Sequence, residues 1–281
     1  MPVDQVAYTR IPLHVAGLVE HAWVARDEGA GREILLPDGR ALLQLVLDPQ
    51  GATSGSALLV DVTTGAERVD ATGVRGLLTR PVVRVPARAR VRLGLQLHPS
   101  AFAALGAPVL VDAWAPAESL VGEPALLAAS AALSDGDGVG AAKALVEALV
   151  SRRAVDEPNA VRFREIVQVV DARQGAVTVA ELARAAEVTV SDVHRWSQRY
   201  LGVPPAEYLS AVRFSVFVRR AVGRGVVRPD AVLQALRWYA EAGYPPREVE
   251  RTSGMTPVEL RRVDERIASL IGVADSAGSA H

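Results

Sequence analysis

The chain has 281 residues, with 31 basic and 32 acidic side chains and a formal net charge of −1 at pH 7. A length above about 250 residues favours two domains over a single core, and an apolar fraction of 49% excludes wholesale disorder. The absence of cysteine excludes a disulfide framework, a thiolate metal site and a cysteine nucleophile. The first ten residues show no basic patch followed by an apolar run, so no signal peptide is expected, and prolines and carboxylates interrupt the most apolar stretch, residues 101–133. We therefore expect a cytoplasmic protein with no membrane partner.

The first third of the chain predicts β-strands. Two apolar runs within residues 32–47 are joined by the turn tripeptide Pro37-Asp38-Gly39, and Thr64-Gly65 marks a second hairpin candidate. Between Val83 and Leu97 the odd positions are apolar, while the even positions include several arginines. This period of two predicts a half-buried antiparallel strand or strand pair, bent at Pro86 or Gly94. Several short strands of this kind favour a small barrel or sandwich.

From Pro99 onward the periodicity is helical. Ser100 and Ser119 are candidate caps of short helices, and longer helices are predicted over residues 140–153 and 161–171. The loop 134–140 lacks the spacing of a phosphate-binding loop and is interpreted as a flexible connector. A second linker covers residues 154–160, helices continue to about residue 270, and a frayed tail follows.

Residues 178–200 predict a helix-turn-helix unit. Thr178 with Glu181 forms a capping box for the first helix, and Thr189 is a second N-cap three residues after the first helix ends. In the second helix, an apolar stripe recurs at helical spacing opposite a polar stripe of Ser191, His194, Arg195 and Gln198. Such side chains are long enough to contact base edges, and a guanidinium can pair bidentately with guanine.

This segment and the following LGVPPAEYLSAVRF resemble the first helix-turn-helix of AraC-family transcription regulators. The positions that agree with the family pattern are Leu182-Ala183, Val188-Thr189, Val193, Arg195, Gly202, Pro205, Tyr208-Leu209 and Arg213. Residues 247–262 are similar to the closing signature of the same family. The N-terminal segments HAWVARDEG, EILLPDGRALLQLVL and LGLQLHPSAFAALG resemble the cupin-like barrel that precedes the DNA-binding domain in one subgroup.

The resemblance implies an α+β fold, in which a small antiparallel cupin-like β-barrel is followed by an all-α AraC-type double helix-turn-helix domain. The expected boundaries are 1–115 for the barrel, 116–171 for a helical linker, 172–268 for the DNA-binding domain and 269–281 for a flexible tail. It also implies a transcription regulator whose partners are double-stranded DNA, a small-molecule effector or a second copy of the chain, and RNA polymerase if the regulator activates.

The residues expected to contact DNA fall into two groups. Ser191, His194, Arg195 and Gln198 are the candidate base readers. The candidate phosphate contacts, which position the protein without specifying sequence, are Arg199, Arg213, Arg219 and Arg220. From Arg173 to Arg266 there are 15 arginines against 11 acidic residues, a modest excess of positive charge that agrees with this role.

Three features of the first helix-turn-helix depart from the family pattern, and the second unit departs further. Glu187 stands in the turn where the family has glycine, and Ser197 replaces an aromatic residue of the reading helix. Asp192 places a negative charge near the expected phosphates. In the second unit, Pro245 and Pro246 fall inside the expected reading helix if no gap is introduced, and they would break it. Alternatively that helix lacks about five residues, or residues 246–253 and 256–266 form a small helix-turn-helix by themselves.

Several other groups admit two interpretations. The basic row of Arg84, Arg88, Arg90 and Arg92 is expected to be a solvated strand face, with the lining of an anion pocket as the alternative. The candidate ligand-binding residues are Trp23, Asp38, Arg40, His98 and Trp114, although Asp38 also suits a turn and the tryptophans a core. The five histidines show no metal-ligand spacing, and no catalytic or nucleotide-binding signature is present, so we expect no cofactor, no metal and no catalysis. The rival function is a regulator-derived protein-interaction module.

Overall fold

The computed structural model describes residues 7–27, 31–48, 51, 57–86, 90–154, 158–223 and 225–272. Its β-structure occupies the N-terminal part of the chain and its helices follow. The strands of this part are β1 Ala7–Ile11, β2 Val19–Asp27, β3 Glu33–Leu35, β4 Ala41–Leu47, β5 Ala57–Asp61, β6 Glu67–Asp70, β7 Gly73–Arg75, β8 Val82–Pro86, β9 Arg90–Leu97 and β10 Trp114–Ala115. The predicted order, antiparallel β-structure followed by a helical domain, is confirmed.

The strands form two antiparallel sheets. The first has the order β1-β2-β9-β4-β7-β10 and the second has the order β3-β8-β5-β6. The hairpin predicted around Thr64-Gly65 is confirmed, because β5 and β6 pair across that turn. The hairpin predicted across Pro37-Asp38-Gly39 is wrong, because β3 pairs with β8 in one sheet and β4 pairs with β9 and β7 in the other. This turn therefore carries the chain from one sheet to the next.

The period-two segment from Val83 to Leu97 forms two strands, β8 and β9, in different sheets. The expectation of a half-buried strand is wrong, since both faces of both strands are covered. The apolar face of β9 packs with that of β4 against helices that follow the sheets, and β8 contributes Val83 to a core shared with the C-terminal helices. The alternation of apolar and polar residues cannot reveal that the polar face is buried as well. That face is covered because it points into the space between the two sheets.

The helices are α1 Ala101–Ala104, α2 Glu118–Val121, α3 Glu123–Ser134, α4 Gly138–Ser151, α5 Pro158–Ala172, α6 Val179–Ala185, α7 Val190–Leu201, α8 Pro205–Val222, α9 Pro229–Glu241, α10 Pro246–Ser253 and α11 Pro257–Ile271. No helix in the described ranges is long and apolar enough to cross a membrane. The connector predicted at 134–140 is shorter than expected, because Asp137 caps α4 by accepting a hydrogen bond from the Gly140 amide (2.7 Å).

The two predicted serine caps are also corrected. Ser100 precedes α1, but its hydroxyl donates to the Gly17 carbonyl (3.2 Å) instead of capping the helix. Ser119 lies inside α2, where its hydroxyl donates to the Pro116 carbonyl (2.6 Å). Both hydroxyls are therefore used to fix neighbouring loops.

The β-sandwich and the helical domain share packed cores. Helices α1 to α4 cover the outer face of the six-stranded sheet, whereas α5 packs with α6, α7 and α8. The expected helical linker is thus divided between the two parts. On the other side, Ile34 and Val83 of the four-stranded sheet pack with Phe214 of α8, and the Ile34 amide donates to the Val227 carbonyl (2.7 Å).

Candidate nucleic-acid interface

Helices α6 and α7 form a compact helix-turn-helix unit whose two helix starts are fixed by capping boxes. The Thr178 hydroxyl accepts from the Glu181 amide (3.2 Å), and the Glu181 carboxylate accepts from the Thr178 amide (2.7 Å). Thr189 and Asp192 repeat the arrangement at the start of α7, at 3.1 and 3.2 Å. These hydrogen bonds hold the pKa of both carboxyl groups below the usual range. The sequence prediction of both caps is confirmed.

Helix α7 has one buried face and one exposed face. Val193, Trp196 and Tyr200 are buried against the other helices of this domain. The four candidate base readers, which are Ser191, His194, Arg195 and Gln198, all lie on the exposed side. Because they recur at a spacing of three and four residues, they form one stripe along the helix. A helix that packs on one side and presents hydrogen-bonding groups on the other can enter a major groove.

Glu187 adopts a left-handed backbone conformation in the turn between α6 and α7, with φ of +53°. A side chain in this region is strained, and glycine relieves the strain. We expect Glu187→Gly to raise the free energy of unfolding by about 0.5–1 kcal/mol, because the turn geometry would be kept without a Cβ. Denaturant unfolding measures the change, and Glu187→Ala, which keeps the Cβ, is the control. Equal stability of the two variants would contradict the strain.

Ser197 replaces an aromatic residue of the family pattern for a local reason. Its side chain is 2% exposed, and its hydroxyl donates to the Val203 carbonyl (2.7 Å). This hydrogen bond fixes the turn through Gly202, which ends α7 with a positive φ. The Ser197 hydroxyl thus helps to fix the C-terminal end of α7.

Arg195 is paired within its own helix. Its guanidinium contacts the Asp192 carboxylate, the same group that caps α7, and its side chain is 65% exposed. A surface pair of this kind contributes little stability. The contact occupies one guanidinium nitrogen, Nη2, and the carboxylate partly neutralises the positive charge on the exposed stripe.

The candidate phosphate contacts have different surroundings. Arg199 lies over the Tyr200 ring, with 5.7 Å between the guanidinium carbon and the ring centroid. Arg219 donates to the Gly225 carbonyl (3.3 Å), and Arg220 donates to Gln174. Arg213 is partly buried and donates to the Leu209 carbonyl (3.4 Å) and to the Ser210 hydroxyl (3.3 Å). Burial lowers the pKa of Arg213, and the nearby Glu250 carboxylate partly opposes this effect.

The second helical unit contains a short helix where a reading helix is expected. Pro245 and Pro246 stand at the N-cap and first position of α10, where proline is well tolerated. The alignment that puts both prolines inside a helix is therefore wrong. Helix α10 has 8 residues against 12 in α7. On its surface Glu248 pairs with Arg251 (3.6 Å), so the positive charge of α10 is partly neutralised.

The candidate ligand residues do not converge on one pocket. Arg40 and His98 lie at the junction between the sandwich and the helical domain, where the helices contribute Tyr208. Arg40 contacts Glu20 (2.6 Å), Asp171 (2.7 Å) and Tyr208 (3.3 Å), and it is 8% exposed. Burial opposes its charge, but these three neighbours outweigh burial and raise its pKa. Arg40 therefore joins the two parts of the molecule.

The other three candidates lie along the sandwich. Asp38 accepts from the Gln96 amide (2.7 Å) and from the Arg40 backbone (3.1 Å), as a turn residue does. Trp23 lies flat on β9, where a Cβ at Gly94 would come within 2.3 Å of its ring. Trp114 pairs in register with Arg75 at the far edge of the same sheet. A role of these residues in ligand binding stays a prediction.

The basic row of the sequence is buried. Arg84 is 1% exposed, Arg90 3% and Arg92 4%, while Arg88 lies outside the described residues. The prediction of a solvated strand face is therefore wrong. The outer faces of both sheets are covered by helices, so the alternating polar positions point into the space between the sheets.

No family model matches the chain, and no curated protein matches it. Its structure is similar to those of ToxT from Vibrio cholerae. One ToxT structure matches with a TM-score of 0.38 and 11% identity over 86% of this chain and 97% of that one. An apo ToxT variant gives 0.39 and 11% over 89% and 99%. ToxT with bound unsaturated fatty acid gives 0.34 and 11% over 98% and 100%.

The sequence did not predict the side chains that pair with Arg40 and with Arg195. Glu20, Asp171 and Tyr208 come from three distant segments and meet at Arg40. No local pattern signals such a meeting. Asp192 was recognisable as a charge near the reading stripe, and the spacing of three residues to Arg195 is the signal that could have predicted their ion pair.

His98 is partly buried beside Arg40 and stays uncharged at neutral pH. Burial, with further effects of Arg40, Arg164 and His14, lowers its pKa to about 3. The geometry agrees, because the Ser100 amide donates to Nδ1 (3.1 Å), which must then carry no proton. In the unfolded chain the imidazole takes up a proton near pH 6.5.

We therefore expect acid to destabilise the fold through His98. The contribution of neutral His98 to the free energy of unfolding is fully present above pH 6.5. It is lost as the pH falls from 6.5 towards 3, because the unfolded state binds a proton that the folded state does not. The loss reaches about 2 kcal/mol at pH 5. Denaturant unfolding at pH 7.5 and 5 measures it, with His98→Gln as the comparison. A variant that loses as much stability as the wild type between these pH values would refute this role.

Proposed function

We propose that this chain is a sequence-specific DNA-binding transcription regulator of the AraC type, in which α7 reads the major groove. The observation that supports the proposal most directly is the two-faced α7. Its apolar stripe packs into the domain, and its opposite stripe presents Ser191, His194, Arg195 and Gln198. The adjoining capping boxes and the left-handed turn at Glu187 fix this helix against α6. Hydroxyl, imidazole, guanidinium and amide groups are the side chains that recognise base edges.

The β-sandwich is proposed to bind an effector or a second copy of the chain. It contacts the DNA-binding part through Arg40 and through the core that Ile34 shares with Phe214. A change in the sandwich can therefore alter the position or the freedom of α7 and α8. Such coupling requires an effector that binds the two arrangements with different affinity.

The second unit is proposed to contribute less than the first. Helix α10 is one turn shorter than α7, and it carries Glu248 and Glu250 next to its arginines. Carboxylates repel phosphate, so α10 is a weak candidate for a second major groove. These charges, together with Trp238 on α9 at 65% exposure, favour the alternative that this part binds a protein.

Affinity selection of fragmented genomic DNA with the purified chain tests the proposal. The selection is made at low and at physiological salt, since phosphate contacts release counterions and lose affinity as salt rises. We expect enrichment of one short motif. Two half-sites one helical turn apart would show that α10 also docks or that a dimer binds. Absence of any enriched motif at both salts would refute DNA reading and favour the interaction module.

A further inference from the structure

Asp192 uses its two carboxylate oxygens for two different partners. Oδ2 accepts from the Thr189 amide (3.2 Å) and from the Thr189 hydroxyl (2.7 Å) at the start of α7. Oδ1 accepts from Nη2 of Arg195, one turn further along the same helix. The carboxylate is therefore fixed to the beginning of the helix on one side, and on the other side it holds a guanidinium of the reading stripe.

This contact restricts a side chain that is otherwise free to move. An exposed arginine has many rotamers of similar energy, and the Arg195 side chain is 65% exposed. Asp192 is shorter, is 24% exposed and is bound to Thr189. The hydrogen bonds from Thr189 lower the pKa of Asp192, so its carboxylate is charged at neutral pH. A pair this exposed contributes little to stability, so its main effect is on the position of the guanidinium.

Arg195 keeps enough donors to recognise a base. A guanidinium carries several N–H donors in one plane, and the contact with Asp192 engages Nη2. A bidentate contact with the O6 and N7 atoms of guanine uses only part of these donors. The pair can therefore bind guanine while the ion pair with Asp192 stays formed.

Two other arginines of the domain differ from Arg195 in the charge of their partners. Arg219 donates to the Gly225 carbonyl (3.3 Å) and Arg220 donates to the Gln174 side chain, and both acceptors are neutral. These guanidinium groups keep their full positive charge, which attracts phosphate. At Arg195 the carboxylate cancels part of the charge and fixes the direction of the remaining donors. Phosphate contacts depend on charge, whereas the recognition of a base depends on donors in defined positions.

We propose that Asp192 determines the specificity of α7 by holding Arg195 in the orientation that reads the guanine of one G·C base pair. Asp192 is a positioning residue, because it acts through Arg195. Without the carboxylate, the guanidinium is free to turn towards the neighbouring phosphates, which every DNA sequence offers. The carboxylate therefore lowers the affinity for DNA in general and raises the discrimination among bases.

This inference rests on the proposed function, because it names the base pair that the reading helix recognises. Absence of an enriched motif in the DNA selection would refute both. A motif whose guanine preference survives the loss of the Asp192 carboxylate would refute this inference alone and would leave α7 as the reading helix. The two failures are therefore distinguishable.

The test compares the full-length wild type, Asp192→Asn and the control Glu207→Gln in titrations of fluorescently labelled duplexes. The duplexes carry the selected motif, each single-base variant of it, or a sequence without the motif. Glu207 is an exposed carboxylate in the first turn of α8 with no ion-pair partner among the described residues, so its loss changes the net charge equally. Asp192→Asn keeps the main cap of α7, in which the Thr189 hydroxyl accepts from the backbone amide of position 192 (3.1 Å).

We expect the wild type and Glu207→Gln to prefer guanine over the other bases about tenfold at one position. In Asp192→Asn this preference should fall below about threefold, while binding to the sequence without the motif becomes tighter. Preferences at the other positions should not change, whereas a merely structural role of Asp192 would weaken all of them together. In the Arg195→Ala background, Asp192→Asn should cause no further change in base preference.

The proposal is overturned if Asp192→Asn keeps the wild-type preference for guanine or loses preference at every position to the same extent. An equal loss in Glu207→Gln would also overturn it, because net charge alone would then explain the effect. The same holds if the base affected by Arg195→Ala is not guanine, or if Asp192→Asn changes base preference equally with and without Arg195.

Discussion

Arg40→Ala should lower the free energy of unfolding by about 3 kcal/mol, because it removes a buried guanidinium and leaves the partly buried Glu20 and the buried Tyr208 without their partner. The Arg40 guanidinium contacts Glu20 of β2 within the sandwich, and it also contacts Asp171 of α5 and Tyr208 of α8 in the helical domain. Burial raises the pKa of Glu20, which Arg40 counteracts, so its loss also favours protonation of Glu20. Chemical denaturation at neutral pH measures the change in stability.

Two variants control the experiment on Arg40. Arg32→Ala removes another contact across the same two parts, in which an exposed guanidinium donates to the Leu270 carbonyl (2.6 Å). Its cost should stay below about 0.5 kcal/mol, as expected for surface positions. Arg40→Lys keeps the charge but cannot reach three partners in one plane, so its stability should fall between those of the wild type and Arg40→Ala. If Arg40→Ala were as stable as Arg32→Ala, the three contacts would not join the two parts.

Arg195→Ala should weaken binding to the selected DNA motif by about 1–3 kcal/mol and relax the preference at one base pair. The reason is that its guanidinium lies on the exposed stripe of α7, where a bidentate contact with guanine is within reach. Binding curves for the motif and for single-base variants of it measure both effects. Equal loss for every sequence would assign Arg195 to phosphate contact instead.

Asp192→Asn complements this experiment. The amide can still accept from the Thr189 backbone, as asparagine does at helix starts, but it no longer neutralises Arg195. We expect tighter DNA binding with a steeper salt dependence, because one more free positive charge faces the phosphates. Arg162→Ala, which removes an exposed arginine from α5, is the control and should change neither affinity nor specificity.

The helix-turn-helix could be predicted because its determinants are local. Thr178 with Glu181 and Thr189 with Asp192 specify two helix starts within four residues each. The spacing of Val193, Trp196 and Tyr200 then specifies which side of α7 is buried. Each of these signals lies within residues 178–200, so no distant part of the chain is needed to interpret it.

The interior of the sandwich could not be predicted in the same way. The alternation of Val83 and Arg84 states that the two side chains face opposite directions, but it does not say which side is covered by helices. That depends on α3, α4 and α8, which lie tens of residues away. The hairpin predicted at Asp38 is wrong for the same reason, since the partners of β3 and β4 are strands far along the chain.

The large apolar cores lie on the outer faces of the sheets, so substitutions in the space between the sheets leave these cores intact. Replacing Gln44, Arg75 or Trp114 alters the chemistry of the interior without removing a side chain from either large apolar core. A library of variants at such positions should therefore yield many folded members whose interiors differ in charge and polarity.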